Sequence, residues 1–139
     1  MHPDLDLPTF SIAHARSVAV TGAVFAGLAV AIGAFGAHGL EDRVAPERLA
    51  TFEVGARYHM YHALGLFLVA WSRGVLKDAL TLWVARLFVA GIVVFSGSLY
   101  ALVLTDTGWL GAITPIGGVC FIAGWGTLAA AWYRNGRAL

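Results

Sequence analysis

"SVAVTGAVFAGLAVAIGAFGAH", residues 17–38, contains no Asp, Glu, Lys or Arg, and the charges that bound it are Arg16 and Glu41. About 20 apolar residues in a helix span ~30 Å of hydrocarbon, and a helix satisfies its own backbone polar groups without water. The stretch therefore reads as a membrane span, and the rest of the composition agrees. Of 139 residues, 59% are hydrophobic and 12% charged, against ~45–50% and ~25% in soluble domains. A soluble domain of this length buries only ~65–70% of its chain surface, too little to hide that much apolar area from water. A formal net charge of +1 leaves no basic footprint for nucleic acid. Cys120 is the only cysteine, so no internal disulfide reports on the redox compartment.

Three more segments have the length and composition of spans: about 56–73, 79–104 and 115–133. Arg86 interrupts the third, and its long stem reads as snorkelling toward the interface. The opening "MHPDLDLPTFSIAHAR" carries Asp4 and Asp6, with only Arg16 ahead of an apolar run longer than the ~7–15 residues of a secretory core. Residues 17–38 are accordingly expected to be a mature span, with tails at 1–16 and 134–139. Short connections make neighbouring helices antiparallel. The expected fold is all-α: one membrane domain over 1–139, an integral membrane antiparallel four-helix bundle.

Local chemistry sets the expected ends. Pro46 suits a first helical turn, with Glu47 near the positive end of the dipole. A helix from 46 to 72 is roughly 40 Å long, so its first turns lie outside the hydrocarbon, and Gly55 is the expected bend. "LTDTGWLGAITPIGG", residues 104–118, reads as a turn at 106–108 and an interfacial piece anchored by Trp109. A helix then starts with Thr114 as cap and Pro115 in its first turn. For orientation, Arg16, Arg73, Lys77, Arg134 and Arg137 fall on one side, and Arg43, Arg48 and Arg57 on the other. That bias places both termini in the cytoplasm of a bacterium, with the chain in the inner (plasma) membrane.

Apolar character cannot drive helices together in lipid, so small residues and polar contacts must do it. Ala29, Gly33 and Ala37 form a four-residue ridge on the first span, extended by Gly22 and Ala26. Ser96, Gly97 and Ser98 in "FSGSLY", and Gly117 and Gly118 in the last span, read as further packing seams. Leucine at Gly33 or Gly118 is expected to overpack them. Cys120 reads as mid-span packing.

The polar residues gather at the other end of the first two spans: His38, Glu53, Arg57, Tyr58, His59 and His62. Glu53 and Arg57 have ion-pair spacing, and Tyr58 and His62 form a second four-residue pair. Intramembrane ionisable groups suggest function by default. His38, His59, His62 and Glu53 are chemically suitable metal ligands, and the same groups suit a proton relay or a small-ligand pocket. No signature such as HExxH or GxSxG marks an enzyme. The plainest reading is that these groups satisfy one another and fix the register of the first two helices. The expectation is a non-enzymatic structural or accessory protein with no catalytic residue, metal or cofactor. Its partners would be the lipid bilayer and either further copies of itself or a larger membrane complex. The alternative is a small-ligand, proton or metal-ion binding or transport protein using the cluster. Four short helices enclose little volume, so transport would require an oligomer.

"GAFGAHGL", "RYHMYHALGL", "FSGSLY" and "ITPIGGVCFIAGW" resemble, in the same order, the motifs of domain-of-unknown-function family 423, the YwdK/YgdD-like small bacterial inner-membrane proteins. Eukaryotic transmembrane protein 256 looks like a distant relative. The resemblance covers roughly residues 20–132 and implies a four-helix membrane protein without an established activity. His38, Tyr58, His62, Ser96, Ser98, Tyr100, Thr114 and Pro115 match the family's motifs. Members tend to carry glutamine where this chain has His59, which weakens a metal site built on that residue.

Overall fold

The computed structural model describes residues 12–72 and 78–135, and its regular elements are all helical. Helix α1 (Ile12–Phe35) runs directly into a π turn, Gly36–Leu40. Helix α2 is Pro46–Trp71. Helix α3 (Asp78–Gly91) continues through a second π turn, Ile92–Ser96, into α4 (Gly97–Thr105). A 3-10 turn, Gly108–Ala112, leads to α5 (Thr114–Asn135). Three stretches are long and apolar enough to cross a membrane: Ile12–Leu40, Ala79–Thr105 and Gly108–Arg134. Arg73, Lys77 and Arg137, used above for orientation, lie outside the described residues.

Helix α2 has the length but falls short in apolar character, because residues 57–62 read RYHMYH. Its buried set includes His59 and His62 beside Phe52, Leu66 and Val69. The helix that lipid would tolerate least is the one its neighbours cover: α1 lies along one side, α3 and α4 along another, and aromatic rings of α5 close over a third. Pro46 and Glu47 occupy its first turn as expected. Gly55 does not break it. A Cβ there would stand 2.8 Å from Tyr100 Cε1, so the glycine makes room for a ring from α4.

Beyond α4 the turn and the start of the last helix fall where expected, but Thr114 is the first residue of that helix and not its cap. Asp106 takes the left-handed conformation, φ 54°, which ends a helix without a glycine. Trp109 is 67% exposed on the 3-10 turn. The Thr114 hydroxyl lies 2.8 Å from Ser98 Oγ, so it reaches across to α4.

The seam between α1 and α2 differs in phase from the ridge read in the sequence. Ala15, Gly22, Ala29 and Gly36 are buried at seven-residue intervals. A Cβ on Gly22 would lie 3.0 Å from the Ala63 carbonyl oxygen, and one on Gly36 would lie 2.9 Å from Phe52 Cδ1. Contacts thus move back along α2 as they move forward along α1. Gly33 has open space where a Cβ would sit, and Ala37 is exposed. The reason is angular: a seven-residue step drifts only ~20° on a straight helix, whereas each four-residue step drifts ~40°. Starting from Ala29, the four-residue ridge walks off the interface. A Cβ at Gly33 therefore meets no neighbour within this chain, so the overpacking expected there finds no close contact to start from.

The other small residues sort the same way. Ser96 and Ser98 are buried, while Gly97 faces open space. A Cβ on Gly117 would collide with the backbone of Phe95, whereas one on Gly118 would rest 3.8 Å from the Phe95 ring, at ordinary contact distance. The main core joins Leu66, Val69, Val84, Phe88, Ile92 and Phe121, and a smaller one joins Leu40, Phe52 and Val103. Gly117→Ala should lower stability by about 1–3 kcal/mol through overpacking. Gly97→Ala should change it little, or raise it by up to ~1 kcal/mol through helix propensity. Thermal unfolding in mild detergent separates the two, and equal losses would contradict this packing.

Candidate functional site

His62 stands sixteen residues beyond Pro46 on α2, ~24 Å along the axis, and is 4% exposed. Its Nδ1 lies 2.7 Å from the Tyr58 carbonyl oxygen, one turn back. A carbonyl only accepts, so Nδ1 carries the proton and Nε2 keeps a lone pair. That lone pair accepts the Trp125 indole N–H at 3.1 Å. The ring stacks on Phe121 with centroids 3.4 Å apart and planes at 9°, and meets Phe88 edge-on at 5.3 Å. Both nitrogens of a neutral imidazole are therefore occupied, and no lone pair is left for a metal ion.

His59 lies on an adjacent face of α2 and is equally buried. Its Nδ1 is 3.2 Å from the Tyr100 hydroxyl on α4, and its ring meets Phe25 of α1 edge-on at 5.5 Å. Its Nε2 is buried without a hydrogen-bond partner among the described residues. The two histidines tie α2 to different partners: His59 to α1 and α4, His62 to α3 and α5.

The six polar residues singled out in the sequence do not converge. Tyr58, 41% exposed, stacks beside His62 and Phe95. His38, Glu53 and Arg57 are exposed, and among the described residues none of them forms a hydrogen bond or ion pair. The i,i+4 pair of Glu53 and Arg57 is not made, and both side chains are exposed. Gly36 packs on Phe52, so His38 sits near the start of α2, ~15 Å or more along the axis from His62. Among the described residues no three His, Cys, Asp or Glu side chains are grouped to hold a metal ion.

What the structure does build beside His62 is an aromatic groove of about 420 Å³, lined by Tyr58, Tyr61, Phe95, Phe121 and Trp125, with Gly118 among its walls. Phe95 belongs to the π turn of the third helix. Such turns wedge one extra residue into a helix and often mark functional positions.

Two further fasteners escaped the sequence reading. The Arg48 guanidinium pairs with the Asp106 carboxylate and donates to the carbonyls of Leu102 at 3.0 Å and Val103 at 2.8 Å. It clamps the first turn of α2 onto the last turn of α4, where unpaired carbonyls and the negative end of the dipole welcome a cation. In the sequence Arg48 counted only toward orientation, and its partners lie more than fifty residues away. The Trp132 indole donates to Ser72 Oγ at 3.2 Å, and that hydroxyl donates to the Leu68 carbonyl at 2.7 Å. Helix α5 thus holds α2 by two indoles, Trp125 and Trp132.

A family model described as "Protein of unknown function (DUF423)" matches residues 32–118, which include both buried histidines and the Arg48–Asp106 clamp. The chain belongs to this family. Among DUF423 relatives, UPF0382 membrane protein YwdK of Bacillus subtilis is 52% identical over 107 residues, 76% of this chain and 87% of the relative. A UPF0382 membrane protein of Staphylococcus epidermidis is 48% identical over 112 residues, 81% and 91% of the two chains. Another, from Staphylococcus aureus, is 45% identical over 115 residues, 83% and 93%. No solved structure matches the chain. With three helices of spanning length, it is a helical membrane protein of the DUF423 family.

Trp125→Phe keeps an aromatic ring on α5 but leaves His62 Nε2 buried without a donor, at a cost of about 1–3 kcal/mol. Trp109→Phe, on the exposed 3-10 turn, should change stability by less than ~0.5 kcal/mol. Parallel melts of the two variants check the assignment.

Proposed function

We propose that this DUF423 protein is a four-span antiparallel bundle of the bacterial inner membrane, with both termini cytoplasmic. We infer that it acts as a structural or accessory component, as further copies of itself or within a larger membrane complex, and not as an enzyme. The observation that carries this reading is the complete internal use of His62, whose Nδ1–H and Nε2 are bonded to Tyr58 and Trp125. A metal ligand keeps a nitrogen lone pair free, and this ring keeps none. The polarity of α2 supports the same view, since its buried side chains serve to hold the other helices in place. The outward faces of α1, with Val20, Val24, Leu28 and Val30 exposed, are free for lipid or for another membrane protein. A second reading is favoured by one observation, the aromatic groove beside Tyr58 and Tyr61, which is of a size to hold a small apolar ligand.

His62→Ala should cost stability, by about 2 kcal/mol or more, because it leaves a cavity and strands the Trp125 N–H. His38→Ala should stay within ~0.5 kcal/mol of the parent. Melts of the purified variants, with elemental analysis and mass spectrometry of co-purifying species, distinguish the two readings. A stable His62→Ala that loses a bound metal or small molecule would overturn the structural one. On a Cys120→Ser background, a membrane-impermeant thiol reagent added to whole cells should label Arg43→Cys and not Arg137→Cys. The reverse pattern would refute the orientation.

A further inference from the structure

Helices α1 and α3 approach one another only sparingly, and the space between them is an open groove of about 580 Å³. Ser17 and Thr21 of α1 form one wall, Arg86 and Val89 of α3 with Val93 of the π turn after it the other, and Leu66 of α2 is the floor. The volume falls in the ~300–1,000 Å³ range of sites that hold small ligands. Both walls belong to stretches long and apolar enough to cross a membrane, so the groove opens toward lipid.

Its chemistry is uneven along its length. From Val89 to Val93 and beyond, the α3 wall is purely apolar. At the other end stands Arg86, which forms no hydrogen bond or ion pair among the described residues. The Ser17 hydroxyl is likewise without a hydrogen bond among them, while Thr21 spends its proton on the Ser17 carbonyl at 2.9 Å. A charge in a wall of valine and leucine is costly at membrane depth unless something neutralises it. Among the described residues no acidic side chain lines the groove. An anion attached to a hydrocarbon suits both the charge and the apolar wall, and basic pockets between membrane helices bind anionic headgroups for this reason.

We propose that the α1–α3 groove is a binding site for an anionic phospholipid. The phosphodiester accepts from the Arg86 guanidinium and the Ser17 hydroxyl, and the first part of one acyl chain lies along Val89 and Val93, over Leu66. The stretch from Arg86 to Val93 is roughly 10 Å long, so the groove holds the portion of the chain nearest the headgroup. The rest of the lipid remains in the bilayer.

The full-length protein, delipidated in a neutral detergent, is titrated with phosphatidylglycerol, phosphatidylethanolamine or glycerol 3-phosphate, with native mass spectrometry and thermal unfolding as readouts. Phosphatidylglycerol should be retained and should raise the melting temperature. Phosphatidylethanolamine should do so weakly, and glycerol 3-phosphate, which lacks the chains, not at all. R86Q should weaken phosphatidylglycerol retention roughly tenfold, as expected for loss of a charge-assisted hydrogen bond, and R86K should restore much of it. Ala90→Leu, which fills the groove while leaving Arg86 in place, should also reduce retention. Equal retention of the two lipids by the parent protein, or equal retention of phosphatidylglycerol by parent and R86Q, would overturn the proposal. Stabilisation by glycerol 3-phosphate would show a free anion site instead and overturn it as well. If R86Q fails to fold, the decision passes to R86K and Ala90→Leu: undiminished retention in the groove-filled variant refutes the site.

Discussion

A planar ring approaches a helix backbone most closely where the facing position has no side chain, and this structure seats rings on glycines at several crossings. Phe52 of α2 lies on Gly36 at the end of the first helix, and Tyr100 of α4 lies on Gly55 of α2. Phe88 of α3 lies between Gly65 of α2 and Gly124 of α5, and Phe121 of α5 lies on Gly91 of α3. In lipid the gain from such seating is close packing, since burying an apolar ring away from apolar tails brings little hydrophobic free energy. The arrangement also locks rotation: turning any one helix by a fraction of a turn would drive a ring into a backbone.

The polar contacts depend on that frame. Phe121 stacks on the His62 ring and Phe88 meets its edge, with the His62 nitrogens aimed at Tyr58 and Trp125. The rings set the geometry and the hydrogen bonds make it specific, because a buried unsatisfied nitrogen penalises every other register. Arg48 plays the corresponding role at the rim, binding the end of α4 through Leu102, Val103 and Asp106.

Much of this was legible in the residues and some was not, for definable reasons. Apolar length and the Asp106–Pro115 turn chemistry are local, so helix limits could be read from the chain. Glycines also announced close packing, but their partners did not announce themselves. Gly55 reads as a bend until Tyr100, 45 positions later, is seen resting on it. Gly33 reads as an interface residue until the angular drift of a four-residue ridge is compared with the seven-residue series Ala15, Gly22, Ala29, Gly36. The polar cluster failed in the same way. Sequence proximity gathered His38, Glu53 and His62, whereas the axial rise of α2 carries His62 away from Glu53 and from the end of the first helix, where His38 sits, and the long-range partners of His62 and Arg48 come from other helices.

The mixed character of α2 bears on how the protein is made. A translocon releases helices to lipid according to their own transfer free energy, and RYHMYH gives α2 little of it. On the four-span reading, α2 cannot partition alone as it emerges. It must wait beside α1, whose glycines already offer Phe52 and Ala63 a surface, and enter as one half of a helical hairpin. Trp125 and Trp132, the indoles that complete its hydrogen bonds, are synthesised last. On that reading the bonds to Trp125 and Trp132 can form only after α5 has been made, so a chain cut short before residue 125 would leave α2 incompletely bonded.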